Sequence, residues 1–304
     1  MPAVADLDRI DATTGECVRA LDAAGIPQLL LKGPTTARWL YADGAPRPYC
    51  DSDLLVPADR RREALAVLER LGFVDRWAGT RPEAGTGYAV SLYRTHADGS
   101  RDAVDLHHGL GLVTDPGTPV WNVLSRDAAD LELAGGRVRM PGEAGRCLVV
   151  ALQVAQDGPT GAKALEDLRR ARRIGDAAAW AQACGLAAEL GVAQAVRLAC
   201  DLAGTPLPGV TTGWADAPLD LRLRVRGAAR GAASLAGIGQ RRGRDRLRYV
   251  LHRALPPRSF MAECYDARTT PALVRAHVRR LGTIAALLPR AVRDLTAAGR
   301  PPRS

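Results

Sequence analysis

The feature that most constrains this chain is the octapeptide Tyr49–Val56, YCDSDLLV, where two carboxylates two positions apart lead straight into an apolar run. In a β-strand successive side chains alternate faces. Asp51 and Asp53 would then share one side, about 6.5–7 Å apart along the strand, with Ser52, Leu54 and Val56 turned toward a core. Two carboxylates at that spacing can grip one cation or an adjacent pair. The bland alternative is a strand start with two solvated aspartates, and the motif alone does not choose between them.

The flanking segments read as alternating helices and short strands. Ala5–Ala24 carries a loose apolar stripe and is closed by Gly25, which predicts a helix. Ile26–Lys32, IPQLLLK, reads as a strand, and Gly33-Pro34 opens a helix over Pro34–Tyr41, with proline where its missing N–H costs least. The loop Asp43–Pro48 delivers the chain into the Asp-Ser-Asp strand. After Pro57, Asp59–Leu71 has helical apolar spacing and stops at Gly72, Phe73–Trp77 reads as a further strand, and Arg81–Thr86 as a loop. Tyr88–Arg94 and Ala103–His107 read as a hairpin turning at Asp98-Gly99. In its second strand Ala103, Asp105 and His107 share a face. From about Pro141 the periodicity is helical: Gly142–Gln156, Ala162–Ile174, Ala177–Leu190, Val192–Ala203, Leu219–Leu235, Asp245–Ala254 and Thr270–Leu288. The expected organisation is an α+β domain over residues 1–140, a linker at Gly135–Gly142, and a helical domain over 141–304.

Composition narrows the partners. The chain has 304 residues, 47% of them hydrophobic and only 4% aromatic, with a formal charge of +9. Nearly every cation is arginine; the only lysines are Lys32 and Lys163. A basic balance suits a nucleotide, a nucleic acid or an acidic peptide, although a bias toward arginine across the source genome gives the same count. The six cysteines form no CxxC pair and read as reduced residues. There is no signal-peptide pattern and no apolar run of roughly 18 residues, so a cytoplasmic protein without a membrane partner is expected.

The order of elements then carries a resemblance. A strand ends in Lys-Gly, a helix begins, a loop leads into a strand bearing Asp-x-Asp, a later strand bears one more aspartate, and helices follow. This resembles the nucleotidyltransferase superfamily with the polymerase-β-type palm. The phrases LLLKGPTTARWLY, RPYCDSDLLV, VDLHHGL, LEDLRRA and ALPPRSFMAECYD are similar to a bacterial nucleotidyltransferase-like family often encoded beside lasso-peptide and other natural-product genes. The resemblance implies an α+β fold, a mixed sheet with flanking helices followed by an all-helical C-terminal domain. It implies a nucleoside triphosphate as substrate and two Mg²⁺ ions, with Mn²⁺ as an alternative, which stabilise the attacking and leaving oxygens of an in-line transfer. Asp51, Asp53 and Asp105 match the family's catalytic, metal-holding carboxylates. Gly33 matches the glycine where backbone approaches phosphate at a helix start. Pro34 departs from the usual Gly or Ser and brings no N–H donor, so Thr35 and Thr36 would supply the missing contacts. Lys32 and Arg47 are the expected phosphate cations.

Other residues carry weaker signals. His107 could position the acceptor or tune Asp105, or be a buried histidine bonded to backbone. Asp167 reads as a helix-packing residue. Arg241, Arg242, Arg244, Arg246, Arg248, Arg253 and Arg258 form the densest basic stretch, suited to an RNA backbone or an acidic peptide, or simply a solvated helix face. The acceptor would be a peptide natural product or a small molecule. Two rivals stand beside this: an RNA- or tRNA-directed transferase of toxin type, and an inactive relative that binds peptide or acts as a scaffold. A DNA-binding module is disfavoured, since no helix-turn-helix presents base-reading residues.

Overall fold

In the computed structural model the described residues are 7–75, 87–113, 119–207, 217–228, 232, 235, 238–239, 242–256 and 258–298. The Asp-Ser-Asp segment forms a short strand, β2 (Ser52–Leu55), an inner strand of a mixed five-stranded sheet. The other strands are β1 (Leu29–Leu30), β3 (Val74–Asp75), β4 (Ala89–Thr95) and β5 (Arg101–His107), in the order β1-β2-β5-β4-β3. Only β2 and β5 run parallel; every other neighbouring pair is antiparallel. In the parallel register Asp53 stands directly beside Asp105, and Leu54 beside Leu106.

Period-two patterning explains which face is covered. Leu54 and Val56 of the β2 segment and Val104 and Leu106 of β5 join one apolar core with Cys17, Val18 and Leu21 of α1 (Leu7–Ala23) and Ala64, Val67 and Leu68 of α3 (Arg61–Arg70). Ser52 also turns to that side, where its hydroxyl bonds the Thr14 hydroxyl of α1. By alternation Asp53, Asp105 and His107 fall on the opposite face.

Some elements depart from the sequence reading. The segment Gly135–Gly142 is not a linker: Gly136–Met140 is the second strand (β7) of a hairpin with β6 (Ala129–Leu133). The turn places Ala134 at φ 50 and Gly135 at φ 72, the double left-handed geometry of a tight hairpin, with alanine where asparagine or aspartate normally announces it. The long C-terminal helix runs over Thr270–Ala297, straight through Pro289, beyond the Leu288 stop that a proline suggests. A helix over Arg258–Tyr265 has no counterpart in the apolar periodicity. The Arg81–Thr86 segment and Trp77 lie outside the described residues.

The chain divides into two compact units. The first comprises Met1–Arg76, Thr86–Val154 and Gly161–Pro208; the second Trp77–Gly85, Ala155–Thr160 and Gly209–Ser304. The first holds both sheets together with α2 (Pro34–Leu40), α4 (Val120–Leu124), most of α5 (Glu143–Asp157), α6 (Ala162–Ile174), α7 (Ala177–Glu189) and α8 (Ala193–Leu202). The second is helical, with small cores around Leu223, Ala232 and Ala291 and around Met261 and Ala276. Within it Arg242, Arg244, Arg246, Arg248 and Arg258 are exposed, while Arg241 and the side chain of Arg253 lie outside the described residues. No helix among the described residues is long and apolar enough to cross a membrane.

The strand-to-helix turn at Gly33 fixes the approach to the site. Gly33 sits at φ 66, ψ −114, a region closed to side-chain-bearing residues, and a Cβ there would lie 3.0 Å from the Asp51 carbonyl oxygen. Gly25 has a similar φ of 65 but open space around it. Gly33→Ala should therefore destabilise the fold by about 1–3 kcal/mol, and Gly25→Ala by less, because only the first adds a steric clash to the dihedral cost. Thermal melts of the two variants check this; equal losses would show that the Asp51 contact does not matter.

Candidate active site

The turn from β1 into α2 wraps around β2. The Leu31 N–H donates to the Asp53 carbonyl at 2.9 Å, so Lys32 leaves the sheet beside Asp53. Its Nζ lies 2.9 Å from Asp53 Oδ1 and 3.1 Å from Oε1 of Gln153, on α5. From the other side His107 Nε2 stands 2.9 Å from the same Asp53 oxygen. Strand register brings Asp105 alongside, and one ligand atom each from Asp53, Asp105 and His107 fall within 4.8 Å of one another. Asp53 is 5% exposed and His107 4%, whereas Asp105 is half-buried and reaches the open side of the cluster.

Charge crowding sets the protonation of this group. Burial disfavours a charge on Asp53, but the Lys32 ammonium and the His107 hydrogen bond outweigh it and hold the carboxyl well below the usual range. Asp51 lies one residue before β2. Burial, then the charges of Asp53 and Asp105, push its carboxyl up to about 6, with Lys32 and Lys163 pulling the other way. Burial pulls on the Lys32 ammonium too, yet Asp53, and behind it Asp51, raise its pKa above the ordinary lysine value.

The donor set fits a divalent cation. Two carboxylates with one imidazole offer the oxygen and nitrogen donors that divalent cations take. His107 Nδ1 is buried with no hydrogen-bond partner among the described residues, so no protein group there fixes the tautomer, and Nε2 can donate its N–H to Asp53 or, with the proton on Nδ1, offer its lone pair to a cation. The Tyr88 ring lies 5.7 Å from the imidazole, centroid to centroid, and flanks it.

Three residues expected to meet phosphate are buried, and two of them bond other protein groups. Thr35 and Thr36 are 1% and 2% exposed, and the Thr35 hydroxyl donates to the Leu30 carbonyl; both face the interior because they occupy the inward side of α2. The α2 helix has only seven residues, opens on Pro34, and the Gly33 carbonyl already accepts from Ala37 N–H and from Arg47. Arg47 is 8% exposed and makes a two-pronged pair with Asp167 of α6, Nε to Oδ1 at 2.9 Å and the other nitrogen to Oδ2 at 2.7 Å. Tyr41 donates to Asp167 Oδ1 at 2.7 Å. The fork geometry that suits arginine to phosphate is spent on a carboxylate. Arg47 is thus a tie between the loop before β2 and α6, and Asp167 has the packing role its helical context suggested. Gln153 and Lys163 were missed. Gln153 has no sequence signal. Lys163, whose Nζ bonds the Pro48 carbonyl at 2.8 Å, did have one: it is the other lysine in an arginine chain, and its charge is felt at Asp51.

Two outcomes follow from this geometry. Arg47→Met should cost about 3–5 kcal/mol, since it strands a buried carboxylate, and adding Asp167→Leu should recover much of that loss; denaturant melts decide, and a stable single variant would free Arg47 for a ligand. Asp51 gives a pH signature in metal-free protein. Its folded pKa is raised, so the fold binds that proton more tightly than the unfolded chain does. The associated stability is present below the unfolded value near 3.8 and is lost as pH rises through about 6. Asp51→Asn should raise the melting temperature at pH 7 and leave it nearly unchanged at pH 4; an equal shift at both values would place the carboxyl outside the cluster.

Part of the chain matches a known family. Residues 8–208 match the family described as uncharacterised nucleotidyltransferase. No curated protein matches the chain. Among solved structures, the antibiotic-resistance factor ANT(2'')-Ia in solution aligns with a TM-score of 0.42 and 17% identity, over 62% of this chain and 96% of that one. The same factor crystallised with adenylyl-2''-tobramycin gives 0.40 and 17%, over 60% and 96%. A nucleotidyltransferase-like antigen from Paracoccidioides brasiliensis gives 0.41 and 13%, over 66% and 94%. With its matched segment spanning both sheets and the Asp53–Asp105 cluster, the chain belongs to the uncharacterised nucleotidyltransferase family.

Proposed function

We propose that this protein transfers a nucleoside monophosphate from a nucleoside triphosphate to a hydroxyl-bearing acceptor, a peptide natural product or another small molecule. The observation that carries this reading is the parallel register of β2 and β5, which sets Asp53 beside Asp105 with His107 closing the group. Such a constellation holds a divalent cation, and a cation there would neutralise the phosphate charge that builds up during in-line displacement. Asp53 and Asp105 are the carboxylate ligands, with Asp51 completing the acidic side. Asp105, the more open of the pair, is also placed to accept the acceptor hydroxyl proton. Lys32 supplies a compact positive charge for the triphosphate. Arg47 supports the site from behind by fixing the loop that leads into β2.

Binding tests the reading without knowing the acceptor. Mg²⁺ or Mn²⁺ with ATP or GTP should raise the melting temperature, by an amount equivalent to about 2.7 kcal/mol when ligand is at a hundred times its Kd. Asp53→Asn combined with Asp105→Asn should abolish the metal-dependent part. Lys32→Ala should weaken triphosphate binding about ten- to a hundredfold, the loss of one charge-assisted contact. A triphosphate shift that survives the double aspartate change would put the nucleotide elsewhere, and no shift with any triphosphate would favour an inactive, peptide-binding relative.

A further inference from the structure

Lys32 stands where an incoming cation would have to act. Its ammonium is 2.9 Å from Asp53 Oδ1, the oxygen that also meets His107 Nε2 at 2.9 Å, and Asp53 belongs with Asp105 and His107 to the group whose ligand atoms lie within 4.8 Å of one another. Asp53 is 5% exposed and held between the two, so a cation that reaches this oxygen must take the place of one of them. Lys32 is not anchored by this bond alone. It also bonds Gln153 Oε1 at 3.1 Å, and a quarter of its side chain is exposed, so the flexible stem has a second partner and an open side to move toward. Lys163, the other lysine, is tied to the Pro48 carbonyl and, among the described residues, to no carboxylate.

We propose that Lys32 is a built-in stand-in for the metal: it neutralises Asp53 in the empty site, is displaced from Asp53 by the divalent cation, and delivers its ammonium to the triphosphate that arrives with it. The inference rests on the metal-site reading above. It assigns Lys32 a second role besides phosphate contact, as the residue that couples the two ligands. Metal alone must break a buried ion pair and therefore binds weakly. Triphosphate alone must compete with Asp53 for the same ammonium. Together each frees what the other needs, which is positive coupling, and by linkage the gain is the same in either order.

The signs of the effects separate this from a plain phosphate-binding lysine. Lys32→Met should bind Mg²⁺ or Mn²⁺ alone about ten- to a hundredfold more tightly than wild type by titration calorimetry, while a non-hydrolysable triphosphate analogue should strengthen metal binding at least about tenfold less than it does in wild type. Lys163→Met removes the same charge from the same neighbourhood without vacating a carboxylate, and should change metal affinity less than about threefold. A second readout uses the wild-type protein. Isotope-labelled lysine gives only two ammonium signals in this chain. The one protected by Asp53 should lose its protection when Mg²⁺ saturates the site and regain it when the triphosphate analogue is added. Equal metal affinity in wild type and Lys32→Met, or an ammonium signal indifferent to saturating Mg²⁺, overturns the stand-in role and leaves the metal site intact. Absence of metal binding in both proteins, with and without triphosphate, overturns the metal-site reading itself and the stand-in with it.

Discussion

The structure turns on one strand pairing. By running β2 parallel to β5 in the register Asp53 to Asp105, the chain forces two carboxylates side by side and brings a third, Asp51, close enough to feel both. Water would normally relieve that repulsion, but Asp53 is buried. The relief is local instead: Lys32 on one side, His107 on the other, and a proton affinity at Asp51 raised by burial and by its neighbours. The negative charge on the inner strands β2 and β5 is thus balanced by protein groups. The cost of holding it is met by the rest of the fold, chiefly the core of α1, α3 and the opposite sheet face.

The helical elements after the sheet serve the same end. Helix α6 reaches back through Asp167 to Arg47 and Tyr41, through Arg170 to Asp43 and the Leu40 carbonyl, and through Lys163 to the Pro48 carbonyl. These bonds pin the loop 41–48 that feeds β2. Helix α5 contributes Gln153 to Lys32. The site is thus finished by residues about a hundred positions or more downstream of the strand that carries it. Charge is divided in the opposite sense along the chain. Residues 209–304 hold 19 arginines against 6 acidic residues, whereas residues 1–208 hold 23 basic against 27 acidic. The acidic cluster therefore lies in the part of the chain whose own net charge favours cations.

Much of this was legible in the sequence because it is local. The alternation in Ser52–Val56 and Ala103–His107 dictates which side chains face the core, and burial follows it. The Lys-Gly-Pro turn is fixed by a glycine at a dihedral pair that other residues avoid. The helices from Ala162 to Leu202 obey their apolar spacing almost to the residue. The failures have physical causes as well. The β6–β7 hairpin was hidden because its turn uses Ala134 at positive φ, and the final helix, expected over Thr270–Leu288, runs on to Ala297 because Pro289 is absorbed within it.

What the sequence by itself determined, then, is the set of chemical groups and their faces: the carboxylates Asp51, Asp53 and Asp105, Lys32 directly before Gly33, and the alternation that turns each strand's apolar residues inward. Tertiary structure alone decided the pairings: Asp53 beside Asp105, Lys32 against Asp53 and Gln153, His107 as a partner of Asp53, and Arg47 spent on Asp167 instead of phosphate. Periodicity along a strand or helix is a property of adjacent residues, so it is written in the sequence. Which strand lies next to which, and which arginine finds a carboxylate first, depends on chain closure over 14 residues for the Arg47 bond to Gly33 and 120 for its bond to Asp167, and no local pattern records that choice.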